Sequence, residues 1–474
     1  MNKVTLSALA AMLISGIASA EAATLYTDST TGQVYTKAGE GRVELIDADA
    51  KDSITVLDKQ SPMFLLGQET GHNLKIKAND NKDMYLKIGT RLQSTFETRA
   101  IDYSDLTKKD VKTNDAYLRR VRLEIEAGFD KHTSFTMDLR NDNANAGDSG
   151  ERSFNVGDAY LTVAKPFDSS LVNFKLYRGK IDVSRTETVK SAYTLHYDRP
   201  QVADEAAQFI THNRRGTNAQ VYGDWHKKIQ YQLAFGDGVY SGALHDAKGI
   251  ALSKENKGTV ESQDFFYGGK LKLSPFDGWE EIKLTDTYMG EGKHFTLGAA
   301  YWKTGNIVAN RTSTGSAAIA GRDATANYVA IAPIAAIPSA TTSIVVDHKL
   351  VNLEASAHYY GASVSAEYFA FDGVVKDWTK GNADGNVGKS TGWYTQAEYV
   401  LVDFGHVAPF YRFESWDKFN GAKGYDLTSK IAGVNWYLRG NTTKVGLSVQ
   451  QDTNGLFVGN NTDTRYKVTS QFFF

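Results

Sequence analysis

The chain has no cysteine among its 474 residues, which excludes disulfide scaffolds, thiolate metal sites and cysteine nucleophiles. Proline is scarce, 7 residues against 42 glycines, and with 12% aromatics the composition is not that of a disordered chain. No charge of one sign dominates: 53 Lys and Arg face 55 Asp and Glu, a net charge of -2. That leaves no basic field of the kind a nucleic-acid partner needs. Mean hydropathy is -0.39, and beyond the N-terminal region no good run of ~20 apolar residues exists to form a membrane helix. The nearest, 328–346, is broken by Pro333 and Pro338 and reads as an apolar loop. Enzyme signatures are missing as well: there is no Gly-x-Ser-x-Gly, His-Glu-x-x-His or phosphate loop. The histidines are scattered. Asn141, Asn143 and Asn145 have calcium-loop spacing, but Ala146 stands where that loop needs glycine and the closing Glu is absent. Neither a metal nor another cofactor is expected. None of these absences excludes a membrane β-barrel, in which only alternate residues face lipid.

What is present supports that reading. Residues 1–20, MNKVTLSALAAMLISGIASA, have the charged start, apolar core and small-residue cleavage site of a secretory signal peptide. Residues 21–83 are polar and turn-rich, and read as a periplasmic N-terminal extension, with folding back into the lumen the open alternative. From 84 to 474 the chain alternates apolar and polar residues at period two. In YLKIGTRLQSTFE (85–97), Leu86, Ile88, Leu92 and Phe96 share one face, and Lys87, Arg91, Gln93 and Glu97 the other. In RVRLEIEAGF (120–129), Arg120, Arg122, Glu124 and Glu126 share a face that must meet water or one another, because four charges cannot sit unpaired in a dry core. About sixteen such segments follow, and most even-to-odd links are short while odd-to-even links tend to be long; the link after the eighth segment, near Pro275 to Gly292, is a longer exception. The longest are near 183–213, 240–262, 306–346 and 373–390. Loops sorted by parity describe an outer-membrane barrel and not a soluble sandwich. Trp393, Tyr399, Tyr411, Phe413, Trp436 and Phe474 fall in apolar phase near strand ends, as interfacial aromatics do. The last strand ends in Phe474, the usual address for outer-membrane assembly machinery.

Five segments carry a family likeness. YLRRVRLEIEAGFDKHTSFTMDLRND, VGDAYLTVAKP, LYRGKIDVSRTETVKS, VAPFYRFESWD and IAGVNWYLRGNTTKVGLSV occur in matching order across 84–474. Together the chain resembles the phosphate-selective porins O and P of Gram-negative outer membranes. The resemblance implies a homotrimer of sixteen-stranded channels, each narrowed by an inward-folded third loop, here 183–213, with a short helix over its acidic middle at 203–207. It also implies a passive channel for small hydrophilic solutes, anions such as phosphate included, set in lipid and lipopolysaccharide. One departure is that the inferred lumen face mixes signs: Glu97, Glu124, Glu126, Asp138, Asp158, Glu354, Glu398 and Glu414 accompany its cations.

Where a water-filled pore narrows, low-dielectric walls focus the field of a few side chains on a passing ion. The pore-lining, anion-binding candidates are Arg120 and Arg122 on the second strand, Arg185 and Lys190 on the third loop, and Arg214 and Arg215 at its end. Lys87, Arg91, Arg140, Lys175 and Arg412 complete the set. Arg120 and Arg122 have an equally good structural role, pairing across the hairpin with Glu124, Glu126 or Asp138. The apolar loop 306–346 has two readings, dipping into the mouth as a second constriction, which is preferred, or packing against a neighbouring subunit. Two other functions stay open: a non-conducting structural or surface-interaction barrel, and a barrel hydrolase, whose site needs no local motif.

Overall fold

The computed structural model describes residues 26–28, 34–35, 42–44, 54–56, 74–77, 83–103, 110–144, 153–211, 215–237, 250–251, 259–281, 284–310, 343–377, 389–417, 426–453 and 461–473. Sixteen antiparallel strands close into a barrel. They are β1 (Tyr85–Tyr103), β2 (Val111–Gly128), β3 (Thr133–Ala144), β4 (Asn155–Val163), β5 (Asn173–Lys180), β6 (Arg215–Trp225), β7 (Ile229–Gly236) and β8 (Phe266–Leu273). They continue as β9 (Lys293–Asn310), β10 (Ser343–Tyr359), β11 (Ala362–Asp377), β12 (Lys389–Tyr399), β13 (Val407–Asp417), β14 (Leu427–Asn441), β15 (Thr443–Thr453) and β16 (Asn461–Phe473). β16 closes on β1, from Asn461 opposite Tyr103 down to Phe473 opposite Arg91. Closure pairs the backbone groups of both edges, the condition for strands to cross a bilayer.

The period-two pattern sets which side chains look in. On β7, Tyr231, Leu233 and Phe235 point out, while Gln230, Gln232 and Ala234 point in and are buried. Trp393, Tyr399, Tyr411 and Trp436 are exposed on the outer surface. Phe474 lies outside the described residues. The β6–β7 turn, His226 to Lys228, is tight because His226 and Lys227 both adopt positive φ, 53° and 61°, which matches the right-handed twist of the flanking strands.

Below the end of β16, the first rungs of β1 need another partner. Leu74–Lys77 supplies it, pairing with 85–88, and Ile54–Val56 pairs with Leu74–Lys77 in turn. Tyr26–Asp28, Val34–Tyr35 and Arg42–Glu44 form a small separate sheet. Residues 1–20 lie outside the described residues.

One expectation is revised. Residues 306–310 and 343–346 are strand and not loop, because β9 and β10 keep pairing up to Asn310 opposite Ser343. The remainder of that apolar segment lies outside the described residues. The longer link at the short-turn end, described at 274–281 and 284–292, folds up into the barrel.

Candidate functional site

The third loop lies inside the barrel. It carries α1 (Arg185–Thr188) and α2 (Gln201–Ile210). Val183, Val202, Ala206, Phe209 and Ile210 are fully buried against Trp302, Leu350, Phe369, Phe371 and Trp416 of β9 to β13. Lumen-facing aromatics on that wall therefore contact the loop instead of water. The helix expected at 203–207 is α2.

Wall carboxylates hold the loop. A helix N-terminus leaves its first N–H groups without intrahelical partners and carries partial positive charge. Glu367 on β11 accepts from the Arg185 and Thr186 N–H groups at 3.0 and 2.7 Å. Glu414 on β13 does the same for Gln201 and Val202 at 3.0 and 2.6 Å. Glu398 is occupied by Tyr437 and Asn435, and Glu354 by Lys270 at 2.8 Å. These four carboxylates are 2%, 0%, 4% and 6% exposed. The acidic half of the mixed lumen is thus largely spent on anchoring and pairing.

A second segment enters from the opposite end. In the 274–292 turn, Leu284, Thr285 and Thr287 are buried. The Asp286 N–H donates to Tyr193 O at 3.0 Å, and its carboxylate accepts from the Leu195 N–H at 2.8 Å. Leu284 joins Val189, Ala192, Tyr193 and Phe473 in one apolar cluster. The turn and the third loop meet, and together they fill the barrel from the β9–β14 side.

A cavity of about 140 Å³ runs along β1 to β5. Its lining includes Arg91, Arg119, Arg120, Arg122, Arg140, Lys180, Lys190, Arg199 and Arg215. Against these nine cations stand five carboxylates: Glu124, Asp138, Asp142, Asp158 and Asp204. Four positive charges are in excess. Arg91 faces Arg122 across β1–β2, and Arg122 faces Arg140 across β2–β3, so three guanidinium groups form one row. Like charges directly opposite one another destabilise a sheet. Flanking carboxylates offset part of that cost: Glu124 pairs with Arg91, and Asp142 with Arg122 at 2.9 Å. Arg140 keeps only a 3.8 Å ion pair with Asp142 among the described residues.

A β-bulge adds one more cation. Between the rungs Gln93–Arg120 and Ser94–Leu118, β2 carries an extra residue, Arg119. Strict alternation assigns it to lipid. The bulge turns it inward with Arg120, where it donates to Asp198 at 3.0 Å and Asn143 at 2.9 Å. Asp198, in the third loop, also accepts from Lys467. Burial opposes ionisation of Asp198, but Lys467 and Arg119 outweigh it and hold the carboxyl well below the usual carboxylate range. His196 beside it is driven down to about 3 by burial and by Arg412, and stays neutral.

Of the sequence candidates, Arg91, Arg120, Arg122, Arg140, Lys190 and Arg215 converge on the cavity. Arg120 and Arg122 meet it while also using the hairpin and loop: Arg120 donates to Gln93 and to Tyr197 O, and Arg122 pairs with Asp142. Lys87 pairs with Glu126 at 3.6 Å toward the short-turn end. Lys175 sits between the rings of Tyr160 and Tyr177, 4.2 and 4.5 Å from their centroids. Neither Lys87 nor Lys175 lines the cavity, and two further candidates hold the third loop instead. Arg412 is buried and donates to Asp198 O at 2.7 Å, clamping the third loop. Arg185 is buried on the loop's far side, against Glu281 at 3.0 Å. Arg214 lies outside the described residues. Arg119, Lys180 and Arg199 were missed by sequence reasoning; the doubled arginine at 119–120 was the one available signal for a break in phase. Among the described residues no cluster of three metal-ligating side chains exists.

A family model described as phosphate-selective porin O and P matches residues 93–451. No curated protein matches the chain. Solved structures similar to it include an anion-selective porin from Comamonas acidovorans at 11% identity, covering 82% of this chain and 99% of that one with a TM-score of 0.48. The outer membrane channel DcaP of Acinetobacter baumannii matches at 10% identity, 84% and 99% coverage and a TM-score of 0.49. Salmonella typhi OmpF in complex with daunomycin matches at 13% identity, 84% and 100% coverage and a TM-score of 0.46.

Proposed function

This chain belongs to the phosphate-selective porin O and P family of channel proteins in the Gram-negative outer membrane, and from that premise we propose that it is a passive, anion-preferring diffusion channel, phosphate among its solutes, working as a homotrimer. One observation carries the anion preference. The lumen carboxylates of β10 to β13 are engaged by the third loop and by neighbouring side chains, while the open passage keeps four cations in excess. In a narrow, low-dielectric bore that excess raises the local anion concentration, and partial pairing with Glu124, Asp138 and Asp142 keeps each station weak enough to release its ion.

Assembly has its own support. The outward faces of β16, β1 and β3 carry Ser470, Ser94 and Asn141, and the two serine hydroxyls bond to each other at 2.7 Å. The outward face of β7 and β8 carries Leu233, Phe235, Tyr267 and Leu271 instead. The more polar face suits a neighbouring protomer better than acyl tails.

Planar-bilayer recordings of purified trimer in a KCl gradient test the reading. The expected reversal potential has the sign of chloride preference, and added inorganic phosphate lowers the chloride current. A strong cation preference defeats the anion reading. Absence of conductance steps favours the non-conducting structural barrel.

A further inference from the structure

The third loop reaches down from the long-loop end and the 274–292 turn reaches up from the periplasmic end. Where they meet, a buried charge cluster joins them. Arg185 of α1 is 1% exposed and lies 3.0 Å from Glu281 and 4.0 Å from Asp286, and it donates to Thr285 O at 2.6 Å. Glu281 is itself fixed to the barrel wall by Lys272 on β8 at 3.5 Å and by the Thr296 hydroxyl on β9 at 3.0 Å. A chain of contacts therefore runs from wall to turn to loop. Burial opposes the charge on Glu281, but Arg185 and Lys272 outweigh it and bring its carboxyl down to about 2, so the cluster stays ionised at neutral pH.

Arg185, Glu281, Thr285 and Asp286 are not among the residues that line the cavity. A buried arginine there costs desolvation that only excellent geometry offsets. Packing alone could have been met by an apolar residue, as the neighbouring cluster of Val189, Ala192 and Leu284 demonstrates. What the charge cluster adds is a single register between two segments that come from opposite ends of the barrel. We propose that Arg185 is a positioning residue which, by gripping Glu281 and Asp286 of the periplasmic turn, fixes how far the third loop stands from the β1–β5 wall and so sets the width of the passage. The exclusion size of the channel is governed from the periplasmic side, by a turn that no permeating solute touches.

This rests on the channel reading, and the test separates the two. Single-channel conductance and the exclusion size for neutral polyethylene glycols are measured for wild type, Arg185→Met and Arg185→Lys. Each variant is checked for the folded barrel by heat-modifiable electrophoretic mobility. Arg185→Met is expected to raise conductance at least twofold, to admit larger polymers and to add current noise. The sign of ion preference should stay unchanged, because the arginine row is intact. Arg185→Lys, which keeps the charge, should fall close to wild type. A folded Arg185→Met channel with wild-type conductance and exclusion size overturns the proposal and leaves the channel reading standing. A wild type that conducts no current overturns the channel reading itself. Should Arg185→Met not reach the folded barrel, Asp286→Asn carries the same test: a smaller rise in the same direction supports the brace, and no change overturns it.

Discussion

Arg140 offers the cleanest perturbation of the arginine row. Its ion pair with Asp142 is long, 3.8 Å, and Asp142 retains Arg122 at 2.9 Å. Arg140→Gln therefore strands no carboxylate, whereas Arg122→Gln removes an ion-pair partner from both Asp138 and Asp142. The electrostatic effect can be worked directly. A unit charge ~6 Å from a permeating ion contributes about 0.7 kcal/mol in water. Screening in 0.1 M salt, with a Debye length of about 10 Å, cuts this to roughly 0.4 kcal/mol. The sign reverses for a cation, so the anion-to-cation difference changes by about 0.8 kcal/mol, which is roughly fourfold in the permeability ratio. The assay is the reversal potential in a 0.1 M to 0.03 M KCl gradient, for wild type and Arg140→Gln, with barrel stability followed by heat-modifiable mobility. The expected result is a severalfold loss of anion preference with stability unchanged, and a smaller loss in 1 M salt. An unchanged reversal potential in low salt would refute the assignment of the row to the permeation path.

Glu414→Gln weakens the cap on α2, where hydrogen bonds to a charged acceptor contribute about 1.5–3 kcal/mol; noisier single-channel currents from a folded barrel are expected. Acidification should loosen the third loop. Asp198 is held below the usual carboxylate range, so its contribution is complete above that range and fades as the carboxyl protonates. His196, depressed from 6.5 to about 3, makes the buried state disfavour protonation, so stability falls as pH drops from 6.5 toward 3. Both act in the same direction, and His196→Gln should flatten the rise in current noise between pH 6.5 and 4 while leaving pH 7 behaviour intact. Leu233, 59% exposed on the outer face, meets lipid; Leu233→Arg is expected to cost about 2–4 kcal/mol if near the bilayer midplane, read by urea-induced unfolding in phospholipid vesicles.

The strands were legible because period two is a local property: Arg120, Arg122, Glu124 and Glu126 fall on the lumen side, as their spacing requires. Arg119 was not legible, because a bulge shifts the phase by one residue and its cause is tertiary: the shifted arginine meets Asp198 from a loop 79 residues away in sequence. The length of the 274–292 link could be read from the sequence, but its direction could not. A polar turn can hang in water or fold inward, and only the partners waiting inside, Tyr193 O and the Leu195 N–H, decide. Arg185 and Arg412 show the same limit for single residues. A lumen cation can face ions or hold chain, and the sequence records its charge without its neighbours.

On the anion-channel reading proposed above, selectivity in this barrel depends on which lumen charges the third loop covers, more than on how many there are. That makes a strong prediction for its removal. Replacing 185–211 by a short glycine linker takes Lys190, Arg199 and Asp204 out of the cavity, leaving seven of its cations against four carboxylates. It also uncovers Glu367, Glu398, Glu414 and Asp452, which now cap helices or bond to Tyr437, Asn435 and Gln201. Arg412 and Lys444, now bonded to loop carbonyls, and Lys467, now bonded to Asp198, are freed on the cationic side. The positive excess drops from four to about two in this charge count, in a bore too wide to focus a field. The shortened channel should conduct severalfold more current and lose most of its anion preference in KCl-gradient recordings. If preference survives loop removal intact, masking of wall carboxylates is not its origin, and the arginine row alone must suffice.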